Sequence, residues 1–270
     1  MNVTALLSPF VKKYSFLIKT LISSAAALLC ATMMLRAQEA VPPFDAFVAC
    51  QQLVLVVGEN WNATNATLQR FEQQNESWKP AAPPVVVNIG RSGMGWGLGV
   101  IPNPTSTPQK KEGDGRSPAG VFSLAYVFGK APVDQMRDLR MPYVQCAASL
   151  ECVDDTNSAY YNQVVDRTNV AKVDWRSSEK MAAPDEYRLG VVVNHNLGGV
   201  RGAGSCIFLH VWTAPGKPTS GCTSMPLGDL EALVAWLNQS SRPLLVQLPK
   251  SEYARLKGPW RLPELSTNSP

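Results

Sequence analysis

The chain has 270 residues, 45% of them hydrophobic and 17% charged, enough apolar content to bury a substantial core as one ordinary globular domain without metals or many disulfides. Its formal charge of +4 and pI of 8.7 come from a local excess: Lys12, Lys13, Lys19 and Arg36 stand in the first 37 residues, which hold no acid. Taking those four from the 25 basic residues leaves as many as the 21 acidic ones, and no basic stripe stands elsewhere, so charge gives no footing for a nucleic-acid partner.

Residues 1–37 read as an export signal, with a basic start, the almost wholly apolar run 21–35 and cleavage after Ala37. The alternative is an uncleaved anchor over 16–35, interrupted only by Lys19. Membrane association is expected through such an uncleaved leader alone. Leu28 and Leu29 precede Cys30, where a lipidated cysteine needs a small residue, which argues against a lipoprotein. A linker over 38–51 with Val41, Pro42 and Pro43, a domain over 52–250 and a tail over 251–270, polar after Leu262, complete the expected organisation.

Within the domain, 52–57 is a β-branched run ended by Gly58 and reads as a strand. Leu68, Phe71 and Trp78 among polar residues predict an amphipathic helix over 65–78, and 85–89 predicts another strand. The glycines of 90–99 lack the Gly-Lys-Ser/Thr ending of a phosphate loop, while Met94, Trp96 and Leu98 alternate with them as strand residues do. Residues 103–117 form a polar loop in which Lys110, Lys111 and Arg116 are expected to be solvated. A strand over 121–128 follows. Residues 145–180 are polar and irregular, a lid or cleft wall on one reading and a structural insertion on the other. A strand over 187–194 leads to His195, a helix is predicted over 229–238, and a last strand over 244–248. Outside the leader, four Asn-x-Ser/Thr triplets with x other than Pro, at Asn62, Asn65, Asn75 and Asn238, matter only in a host that glycosylates.

The stretch GSCIFLHVWTAPGKPTSGCTSMP over 204–226 concentrates the chemistry. Residues 205–212 read as a buried strand carrying His210, one of two histidines in the chain, and 214–220 as a loop that turns back to Cys222. A thiol becomes a nucleophile when an imidazole takes its proton or pairs with the thiolate. The bland alternative is a packed histidine and a buried thiol. His195, between two asparagines, is the rival base, read otherwise as a loop residue bonding backbone groups. No C-x-x-C or H-E-x-x-H spacing supports a metal, and none is expected. Without Cys30, five cysteines remain. An odd count leaves one thiol free, as a nucleophilic Cys222 requires. Cys146 and Cys152, flanking a short segment, are the expected disulfide, with Cys50–Cys206 a second pairing; otherwise all four are buried thiols.

His210 followed by Thr219-Ser220-Gly221-Cys222 resembles the signature of the L,D-transpeptidase catalytic-domain family (YkuD-type), and residues 115–122, GRSPAGVF, resemble that family's Thr-Pro-x-Gly-x-Phe segment. The resemblance extends over about residues 53–248. It implies a mainly β fold, a sandwich of two sheets with a few helices, and an exported enzyme of the periplasm or cell envelope that needs no cofactor. Cys222 would be the nucleophile and His210 the general base. Thr219, Ser220, Gly221 and Ser224 would form the oxyanion and substrate loop. The implied reaction cuts a peptidoglycan tetrapeptide stem after its diamino acid, releases D-alanine and joins the acyl group to another stem's amine; carbapenem-type inhibitors would acylate the same thiol.

Ser220 stands where many members have His, Ser224 where Arg or Asn is common, and the spacer from His210 to Thr219 is short. Other readings are an L,D-carboxypeptidase or endopeptidase with the same nucleophile, and a non-catalytic wall-binding module. A papain-like peptidase is disfavoured because its nucleophile precedes its His.

Overall fold

The computed structural model describes residues 47–102, 104 and 108–265. The expected signal or anchor over 1–37 and the prolines at 42 and 43 lie outside the described residues. Among the described residues, no helix is long and apolar enough to cross a membrane.

The protein is mainly β. Its strands in chain order are β1 (Gln52–Gly58), β2 (Asn65–Gln74), β3 (Ser77–Pro80), β4 (Val85–Asn88), β5 (Met94–Trp96), β6 (Ser117–Gly129), β7 (Tyr143–Gln145), β8 (Leu150–Val153), β9 (Val164–Asp166), β10 (Ser178–Lys180), β11 (Leu189–Val193), β12 (Phe208–Val211), β13 (Thr223–Met225) and β14 (Leu244–Pro249). Among the described residues, two helices accompany them, α1 (Leu227–Trp236) and α2 (Lys250–Leu256).

The expected two-sheet sandwich is corrected to a closed barrel. Hydrogen-bonded neighbours run β1-β14-β6-β11-β12-β13-β4-β2, and β2 pairs again with β1, so eight strands close on themselves. Closure leaves no free edge on the ring. β1 shows why the chain closes here. All seven of its residues are buried, and it is held on one side by β14 in parallel and on the other by β2 antiparallel. A continuous Leu/Val run of that kind needs cover on both faces. β3, β5 and β7 pair outside the ring, and β8, β9 and β10 form a separate three-stranded sheet.

The helix expected over 65–78 is instead the hairpin of β2 and β3. Asn75 and Glu76 have φ of +49° and +61°, and Gln74 pairs with Ser77 across them, the geometry of a two-residue type I′ turn. The Gln, Glu and Arg residues favour helix intrinsically, but six residues of β2 pair with β1 and four with β4. Tertiary pairing outweighs the local preference.

The stretch 145–180, expected to be irregular, supplies β8 to β10. Part of the expected linker and tail also belongs to the fold: Phe47 and Cys50 are buried at one end, Tyr253, Leu256, Trp260 and Leu262 at the other. The cations of 103–117 are not simply solvated either. Lys110 is buried and paired with Asp114 at 2.6 Å, and the Arg116 guanidinium donates to the Met94 carbonyl at 2.8 Å.

Candidate active site

β12 and β13 are adjacent parallel strands, with His210 opposite Ser224 and Leu209 opposite Thr223. Side chains alternate along both strands. Leu209, Val211 and Met225 join the larger hydrophobic core, while Phe208 and Cys222 join a second cluster on the other face with Phe128, Tyr187 and Cys206. His210 and Ser224 share that second face by parity, so the imidazole and the thiol two residues before Ser224 are diagonal neighbours. His210, Cys222, Thr219, Ser220 and Ser224 line one cleft of 290 Å³, walled by Glu179, Glu186, Tyr187 and Lys217.

The loop before the thiol is built by local bonds. The Thr219 hydroxyl donates to the Cys222 carbonyl at 2.6 Å and accepts from the Gly221 N–H at 3.1 Å. Ser117 also donates to the Cys222 carbonyl, at 3.1 Å, and accepts from the Gly90 N–H at 2.9 Å. That contact gives residues 115–122 a physical role as the buttress of the cysteine loop. The Arg91 guanidinium reaches the Ser220 hydroxyl at 2.9 Å.

The thiol accepts from the Phe208 N–H at 3.3 Å and donates to the Cys206 carbonyl at 3.5 Å. Burial, with the nearby Glu179 charge adding to it, pushes its pKa well above the ordinary thiol range. Burial lowers that of His210. The resting pair is therefore neutral. His210 Nδ1 lies 2.8 Å from the Val211 carbonyl, and a carbonyl only accepts, so Nδ1 carries the proton and Nε2 is the basic nitrogen. The Tyr187 ring packs edge-on against the imidazole at 5.5 Å.

His195 stands elsewhere. It is buried, Nε2 meets the Ala203 carbonyl at 3.0 Å, and it lines a different cavity, with Cys206 and Asn162. Burial holds its pKa down at about 4.

The expected Cys146–Cys152 and Cys50–Cys206 disulfides are corrected. Cys152 pairs with Cys206, while Cys50, Cys146 and Cys222 are free and buried. Cys152 lies on β8 and Cys206 just before β12, so the bond joins the small sheet to the strand that carries His210. Nearness in sequence misdirected the pairing because only the tertiary fold sets which cysteines meet.

No family model and no curated protein matches this sequence. Among solved structures, the chain is similar to Bd1075 of Bdellovibrio bacteriovorus, with 16% identity and a TM-score of 0.38. The match covers 77% of this chain and 54% of that one, so the chain spans about half the length of Bd1075. A match of that strength assigns no chemistry, which rests on the site's own geometry.

Tyr187 and Glu179 are among the cleft residues that carry no local sequence signal for a site role. Tyr187 was visible only as the start of a strand, and Glu179 is one acid in a polar segment with no pattern to single it out. Both reach the site from elements that are remote in the chain.

Proposed function

We propose that this protein is an exported cysteine acyltransferase acting on peptidoglycan stem peptides, an L,D-transpeptidase. The observation that carries the reading is one cleft lined by both Cys222 and His210, the imidazole on β12 and the thiol just before β13, with Nδ1 bound to a backbone carbonyl and Nε2 left basic. The motif resemblance supplies the substrate class. The Cys152–Cys206 disulfide supports export to an oxidising compartment.

In the proposed reaction His210 Nε2 takes the Cys222 proton as sulfur attacks the amide carbonyl. The imidazolium then protonates the departing amine, leaving a thioester and a neutral imidazole. The Gly221 N–H is already bonded to Thr219, so the N–H groups of Ser220 and Cys222 are the loop's donors for the oxyanion. An amine acceptor completes transfer. The neutral resting pair makes His210 a general base during attack rather than the partner of a standing thiolate, so the acylation rate is expected to fall as pH drops through the lowered His210 pKa.

The test is intact mass after exposure to a carbapenem. The parent is expected to gain one adduct, Cys222→Ala none, and His210→Gln an adduct at least about a hundredfold more slowly, in the range of general-base contributions. No adduct in the parent, together with a Cys222 inert to iodoacetamide, would replace this reading with the wall-binding module.

A further inference from the structure

The cleft contains two carboxyl groups as well as the thiol and the imidazole, Glu179 from β10 and Glu186 from the turn before β11. They act on different partners. Glu186 favours the charged form of His210, whereas Glu179 opposes the Cys222 thiolate. Glu179 is fixed through Oε2, which accepts from the Tyr187 hydroxyl. Its other oxygen makes no hydrogen bond among the described residues, and the side chain is largely buried, with an edge on the cleft wall. The same tyrosine ring rests on the imidazole. One aromatic residue thus holds the carboxyl group and the base in a common frame.

From this geometry we infer that Glu179 is a second catalytic group of the cleft, which binds the ammonium group of the incoming acceptor and takes its proton before attack on the Cys222 thioester. The inference rests on the acyltransferase reading and deepens it, because it distinguishes an amine acceptor from water.

The step balances. The acceptor reaches the cleft as a primary ammonium and gives one proton to the free oxygen of Glu179, becoming a neutral amine. Its lone pair forms the new C–N bond at the thioester carbon, the C–S bond breaks, and the electron pair leaves on sulfur. The second proton of the nitrogen passes to His210 Nε2 and from there to sulfur, restoring thiol and neutral imidazole. The Glu179 proton returns to solvent after product leaves. Proton uptake has a second effect: a neutral Glu179 no longer opposes negative charge on sulfur at the moment sulfur is expelled.

The environment suits a group that exchanges protons near neutral pH. Burial raises the Glu179 pKa to about 7; Asp154 and Glu112 push the same way, while the Tyr187 hydroxyl pulls it down. Besides Glu179 and Tyr187, the titratable groups of the cleft are Cys222, His210, Glu186 and Lys217. Lys217 is the cleft's lysine, and an acceptor ammonium has the complementary charge at the two carboxylates.

The experiment uses a stem tetrapeptide as donor and Nα-acetyl-lysine amide as the acceptor amine, with amide and free acid products quantified by mass spectrometry from pH 5.5 to 8.5. Glu179→Gln retains an acceptor oxygen for Tyr187 and removes the base. Its ratio of amide to acid is expected to fall at least tenfold at pH 7.5, with the parent-to-variant difference growing through about pH 7. Glu179→Asp, which restores a carboxylate, is expected to recover part of the ratio. The carbapenem adduct is the control for the nucleophile. An adduct in both proteins with equal product ratios overturns the role of Glu179 and leaves the acyltransferase reading standing. Loss of the adduct in Glu179→Gln also overturns it, because the residue would then act on the Cys222–His210 pair. No adduct in the parent removes the acyltransferase reading and this inference together.

Discussion

Gly221 precedes the thiol with φ of +152°, and a Cβ there would lie 3.0 Å from the Arg116 carbonyl oxygen. A side chain at this position meets both an unfavourable backbone region and fixed backbone atoms, a strain of about 1–3 kcal/mol. Gly221→Ala is therefore expected to keep the circular dichroism of the parent and to slow carbapenem adduct formation at least tenfold. An unchanged rate would show that the loop does not need this geometry. Ser117 illustrates a different constraint: its hydroxyl serves the Cys222 carbonyl and the Gly90 N–H at once, so the loop carrying the thiol and the loop after β4 share one atom as their anchor.

At the scale of elements, the small sheet of β8, β9 and β10 is organised around Glu151. Its carboxylate is buried and accepts from Trp175 Nε1 at 2.7 Å and Ser178 Oγ at 2.6 Å, and it pairs with Lys180 and Arg167. Burial alone would raise its pKa, but the Lys180, Ser178 and Trp175 hydrogen bonds outweigh that and hold it at about 2. The folded value lies below the unfolded one, so the stabilisation is present above about pH 4.5 and is lost as pH falls towards 2. After discounting the half-exposed Lys180 and Arg167 for solvent screening, the contribution is on the order of 2 kcal/mol. Glu151→Gln is expected to lower urea-unfolding stability by that amount at pH 7 and by much less at pH 2.5. Equal losses at both pH values would rule out an ionised Glu151 as the source. Because β10 also carries Glu179, the same variant tests whether the sheet's integrity reaches the cleft.

For the whole molecule, the Cys152–Cys206 bond is the covalent link between that sheet and the barrel, closing a separation of 54 residues. The Cys206 carbonyl touches the Cys222 thiol, and Cys206 itself has φ of +54° with its N–H bonded to Asn162. A loop of this length is stabilised by about 4 kcal/mol in the chain-entropy description. Reduction, or a Cys152→Ala/Cys206→Ala double variant, is expected to lower the unfolding midpoint and to raise the iodoacetamide reactivity of Cys222. A midpoint that does not move would mean the small sheet is held by packing alone.

The sequence by itself was sufficient for elements whose signal is local. β1, β4, β6, β11 and β14 are runs of Val, Leu and other apolar residues, and α1 shows Leu230, Leu233 and Val234 at helical spacing; such patterns determine conformation within a few residues. The proximity of His210 and Cys222 was legible for the same reason, since a short loop leads from the strand of His210 back to Cys222, although β13 then runs parallel to β12. The tertiary structure alone decided that β1 and β2 pair and close the ring, that a polar 65–78 becomes a hairpin, and that Cys206 meets Cys152. It also decided that Glu179 and Tyr187 stand beside the thiol. Each of these depends on contacts between segments distant in the chain, whose pairing free energy exceeds the small local preferences visible in sequence.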